Sequence, residues 1–166
     1  MYPTTATQPS PRNTDTLERR FAGAHDKWMA DADRFVLPVA DANATFWERW
    51  AAVRYVEDQL LDRFQLERRL LDELRAFLTP EIKERLGMQA DRLSRLLADF
   101  RRLGRERARA RELAHTTREL LPAVRLWYAE IEFAAGGIRW NDVSSEGIRL
   151  LAEFDLARCG WADANN

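Results

Sequence analysis

The stretch 74-LRAFLTPEIKERL-86 decides the fold. Thr79, Pro80 and Glu81 supply a side-chain N-cap, a first helical residue whose φ is already set, and an acid at the positive end of a helix dipole. A helix therefore begins at Pro80. Upstream, neither Gly nor Pro occurs between Pro38 and Pro80, so a second helical run reaches down to Phe77. Helices joined by so few residues fold back on each other, which predicts an antiparallel hairpin of 42–77 against 80–135.

The upstream arm has Asp41 or Asn43 as its cap, with Thr45 and Glu48 as a further capping pair. Steps of four and three from Phe46 give Trp50, Val53, Glu57, Leu60, Phe64, Glu67, Leu71, Leu74 and Leu78, a broad apolar stripe with two acids inside it. At 1.5 Å per residue such an arm spans about 50 Å and calls for a partner along its length. The downstream arm keeps one phase through Leu86, Gln89, Leu93, Leu96, Phe100, Leu103, Arg107, Ala110, Ala114, Thr117, Leu121, Val124, Tyr128 and Ile131. A seven-residue repeat held that long implies left-handed supercoiling, and Leu113, Leu120 and Trp127 widen the stripe toward bundle packing. Gly104 lies off this seam at a cost of about 1 kcal/mol. Pro122 removes one backbone bond and predicts a kink near 118–122, with helix resuming until Gly136 and Gly137.

Outward from the hairpin, Asp15 and Glu18 fit a capping box for a first helix over 15–36, whose face is Leu17, Phe21, Ala24, Trp28, Ala32 and Phe35 and whose end is set by Pro38. Residues 1–13, rich in Pro, Thr and Ser with little to bury, read as a disordered tail. After a loop, a last helix over 144–158 places Leu150, Leu151, Phe154, Ala157 and Trp161 on one face. The expectation is an all-α fold in which residues 14–166 form a single domain: a long, coiled-coil-like antiparallel helical hairpin within a four- or five-helix bundle.

Composition agrees with solvated helices: 32% of residues are charged and 46% hydrophobic, with seven Gly and six Pro in 166 residues. The net charge of −1 recruits no polyanion globally. Cys159 is the only cysteine, which excludes an intramolecular disulfide or a cysteine zinc site and suggests a reducing compartment. No stretch approaches the ~18 apolar residues of a membrane span, and the first residues lack the marks of a signal peptide, so the expected location is the cytoplasm.

Three residue groups could carry a function. Glu112 and His115, three apart on one helical face, resemble over those four residues the ExxH motif of ferritin-like carboxylate metal sites, and the hairpin register would bring Glu48 toward Glu112 as a third ligand. The seam phase turns Glu112 away, and the only other histidine is His25. The second group lies in the run Arg92 to Arg111, eight arginines against Asp99 and Glu106, where Arg95, Arg101, Arg102, Arg105 and Arg109 share an outer face suited to phosphates or an acidic partner. Phe100, the one aromatic residue in the run, lies on the seam and leaves none on this face for base stacking, which makes nucleic acid the weaker partner. Third, 42–77 is too short to cover 80–135, which leaves Leu120, Val124, Trp127, Tyr128 and Ile131, with Trp47, as an interface for a protein partner or a second copy. The seam charges Glu57, Glu67 and Arg107 read as register-setting groups, since the two acids lie some 15 Å apart along the helix, too far for paired acid and base work. With no Gly-rich phosphate loop and no activated nucleophile, no cofactor is expected, and the reading is a non-enzymatic interaction or scaffold protein, self-associating as a homodimer or a subunit of a larger assembly.

Overall fold

The computed structural model describes residues 26–137, and all regular structure among them is helical. The expected tail over 1–13, the start of the first helix and the last helix over 144–158 lie outside the described residues. Helix α1 is described over 26–36 and gives way to a 3-10 turn, Leu37–Ala40, led by Pro38. Helix α2 follows in three parts, Phe46–Tyr55, a π segment Val56–Leu60, and Leu61–Glu73. Thr45 is its N-cap: the hydroxyl accepts from the Glu48 N–H at 3.1 Å, and the Glu48 carboxylate accepts from the Thr45 N–H at 2.9 Å. Asp41 shapes the preceding turn instead, its carboxylate accepting from the Asn43 N–H. A 3-10 turn, Arg75–Phe77, leads to helix α3, Pro80–Gly104, capped by Thr79, whose hydroxyl accepts from the Ile82 N–H.

The long third helix expected over 80–135 is corrected by the structure. It ends at Gly104, Glu106 is extended, a 3-10 turn spans Arg107–Arg109, and helix α4 runs Ala110–Gly137. The break falls where α2 crowds α3, because a Cβ on Gly104 would lie 2.5 Å from Val53 Cγ2. Arg109 ties the turn together by donating to Glu106 at 3.3 Å and to Glu112 at 2.7 Å. Helix α4 runs on through Pro122, as expected of a bend rather than a break there.

Cross-contacts fix the helix directions. Glu57 meets Arg101 and Arg105 while Arg68 meets Ser94, so α2 and α3 are antiparallel. Arg85 near the start of α3 pairs with Glu130 late in α4 at 2.8 Å. Arg125 donates to Asp33 and Arg118 to the Ala40 carbonyl, which lays α4 antiparallel to α1. Phe35 stacks on Tyr55 and Arg63 lies over Trp28, so α1 is antiparallel to α2 as well. The interior is filled by Trp28, Phe64, Leu93, Phe100, Leu113, Leu120, Val124, Trp127 and Tyr128, drawn from all four helices.

The π segment sets which face of α2 points inward. Its geometry is marked by the Leu61 N–H donating to the Val56 carbonyl, five residues back. One extra residue per turn rotates everything upstream by about 100°. Below it the expected stripe holds, with Leu60, Phe64, Glu67 and Leu74 buried. Above it the buried residues are Ala52 and Tyr55, and Phe46 and Trp50 turn to solvent.

Tyr55 reports on the packing of this joint. Its hydroxyl accepts from Arg63 at 2.7 Å, and burial pushes its pKa up to about 12 from 10.0, the nearby Arg63 charge only partly opposing the shift. The folded state therefore holds the phenol proton more tightly than the unfolded chain does. This contribution is fully present below pH 10 and is lost as pH rises toward 12. Stability should fall by about 2–3 kcal/mol across that interval. In Tyr55→Phe this part of the fall should vanish, as measured by urea unfolding at pH 9 to 11.5, and an identical slope in both proteins would refute the assignment.

Candidate functional site

The rotated face of α2 carries the most prominent exposed apolar group among the described residues. Phe46, Trp47 and Trp50 are 47%, 71% and 51% exposed. They sit on the first turns of a helix fixed by its capping box, so the backbone beneath them is well defined. Phe46 packs edge-on against Trp47 with centroids 5.2 Å apart, and Trp47 against Trp50 at 6.1 Å. Arg54 lies over the Trp50 ring at 5.7 Å and pairs with Asp58 at 3.0 Å. Beside Trp50, between α1 and α2, a shallow cavity of about 200 Å³ is lined by Phe35, Ala51, Tyr55 and Gln59 together with Arg54 and Asp58.

Comparison with known protein families, with curated proteins and with solved structures finds no match.

Of the expected interface, only Trp47 faces outward. Leu120, Val124, Trp127, Tyr128 and Ile131 are buried within the chain, a correction that follows from the break at Gly104. Once α4 folds back along α3, its apolar stripe is covered by α1, α2 and α3.

The same break separates the expected basic row, leaving Arg95, Arg101 and Arg102 on α3 and Arg105 and Arg109 in the turn. Their charges are largely met: Arg101 and Arg105 converge on Glu57, Arg102 lies 3.6 Å from Asp99, and Arg109 bridges Glu106 and Glu112. Arg95 reaches the Asp91 carbonyl. A row already paired with acids offers little uncompensated charge to a phosphate backbone.

The expected metal ligands are not gathered. Glu48 is engaged in the capping box, Glu112 pairs with Arg109, and His115 is exposed with Glu119 3.7 Å away. No group of three or more His, Cys, Asp or Glu side chains able to hold a metal ion occurs among the described residues. No described helix is long and apolar enough to cross a membrane.

At the opposite end of α2 the structure forms a second concavity that sequence reasoning missed. A cleft of about 230 Å³ lies between the end of α2 and the start of α3, with the buried Trp127 of α4 in its wall. Its residues are 68–90 apart from Trp127, so no local motif announces it. The one sequence signal is Gly87, an unforced glycine inside a helix.

Proposed function

We propose that this chain is a non-enzymatic helical-bundle interaction protein that self-associates through the Phe46, Trp47 and Trp50 face of α2. The observation that carries the reading is the exposure of these three adjacent aromatic rings on a rigidly capped helix, since large exposed apolar groups are enriched at protein contacts. A second copy is the favoured occupant because ring and receptacle occur on one face. Trp47 packs on Trp50 at the near edge of the cavity, and a two-fold axis across α2 would let each Trp47 reach the cavity of the other copy. The cavity also presents both Arg54 and Asp58, so copies meet without unbalanced charge.

Sedimentation of the full chain should show a concentration-dependent dimer. Trp47→Ala with Trp50→Ala should weaken dimerisation by at least ~30-fold, the effect of losing one strong anchor of about 2 kcal/mol. Because both rings stand outside the core, helix content and urea midpoint should barely move. A wild-type chain that stays monomeric at hundreds of micromolar overturns the proposal, as does a double variant that dimerises as well as wild type.

A further inference from the structure

We propose that the cleft between the end of α2 and the start of α3 binds a small organic carboxylate with an apolar tail. The cleft divides into two kinds of surface. Leu71, Leu78, Leu86, Ala90 and Trp127 give it apolar walls, while Arg68, Arg75 and Lys83 stand around it against one acid, Asp72. None of Asp72, Arg75 and Lys83 makes an ion pair among the described residues, and Arg68 reaches only the Ser94 hydroxyl at 3.4 Å while lying over Phe64. This contrasts with the arginines at the other end of α3, which are met by Glu57, Asp99, Glu106 and Glu112. Three cations, only one acid and an apolar interior complement a ligand that is anionic at one end and apolar over the rest.

Size narrows the class. A cavity of about 230 Å³ equals the liquid volume of roughly eight waters, and so admits an organic molecule of about ten non-hydrogen atoms. Gly87 offers a place to obstruct the cleft without disturbing the core. A Cβ placed there would meet nothing within 4 Å, so packing does not require the glycine, although glycine weakens a helix interior. Gly87 is exposed at the cleft's edge, so a bulky side chain there narrows the opening.

The probe is octanoate, compared with octan-1-ol and octylamine, titrated into the full chain by calorimetry. Octanoate should bind with a dissociation constant on the order of 0.1 mM, and the alcohol and the amine at least tenfold more weakly. Arg75→Glu with Lys83→Glu should weaken octanoate about tenfold or more and leave octan-1-ol nearly unchanged. Gly87→Leu should keep helix content and abolish octanoate binding by obstructing the cleft. Trp47→Ala with Trp50→Ala should bind octanoate as wild type does, because that face lies at the other end of α2, so the cleft stands or falls separately from self-association. No saturable binding by 10 mM, equal binding of octanoate and octan-1-ol, or unchanged binding in a folded Gly87→Leu variant would each overturn the proposal.

Discussion

Trp127→Ala is expected to lower the unfolding free energy by about 3–5 kcal/mol, the usual cost of removing a buried indole. The ring is 2% exposed and packs edge-on against Phe64 with centroids 5.1 Å apart. Its Nε1–H donates at 3.3 Å to a carboxylate oxygen of Glu67, itself buried inside α2. Truncation therefore creates a cavity and also withdraws a donor from a buried acid, two losses that add. Against a total stability of about 5–15 kcal/mol, the loss should bring a chain of this size close to unfolding. Trp127→Phe should retain most of the ring packing and lose mainly the hydrogen bond, so its midpoint should fall between those of wild type and Trp127→Ala. Urea unfolding followed by circular dichroism measures both. An interface role for Trp127 would instead leave the monomer's midpoint unchanged and alter association alone, and that outcome would remove the residue from the core described above.

The reason Trp127 looked available for a partner lies in what a periodic sequence can and cannot encode. The phase of the seam was legible: Leu93, Phe100, Ala114, Thr117, Val124 and Tyr128 are all buried, on the two arms into which the expected helix divides. The break was not legible, because 105-RERAR-109 consists of good helix formers and the heptad phase runs straight through them. Gly104 is the only local weakness, and its effect depends on Val53, some fifty residues upstream. The capping residues were legible for the same reason the seam was, since Thr45 with Glu48 and Thr79 with Pro80 act within one turn.

The candidate interface followed a similar division. That Trp47 needed an unusual environment could be read from its angle to the stripe. That Phe46 and Trp50 accompany it outward could not, because 56-VEDQL-60 carries no mark of a π segment, and one extra residue there turns these two rings out while Val53 still packs on α3. The cleft at the far end draws on three helices at once, and its rim cations look in sequence like any solvated helix face.

Gly104→Ala tests the contact that decides this topology, and two effects of opposite sign compete in it. Alanine is the better helix former by up to about 1 kcal/mol, but Gly104 is the last residue of α3, where that preference is only partly realised. The new methyl would stand 2.5 Å from Val53 Cγ2, whereas carbon atoms in favourable contact sit about 3.5–4.0 Å apart. Val53 cannot swing clear at little cost, since a β-branched side chain in a helix is confined to one main rotamer. The helices must therefore separate at the turn that carries the chain back along α3, and overpacking should win, with a net loss of about 1–2 kcal/mol. Val53→Ala removes the clashing methyl and supplies the discriminating result. Alone it should destabilise modestly, but in the Gly104→Ala background it should raise the urea midpoint, giving a coupling between the two positions of about 1 kcal/mol or more. Strictly additive effects would mean that Gly104 is tolerated at this turn for its flexibility. A rescue would show that the close approach of α2 and α3 at Val53 is what excludes a side chain from the last position of α3.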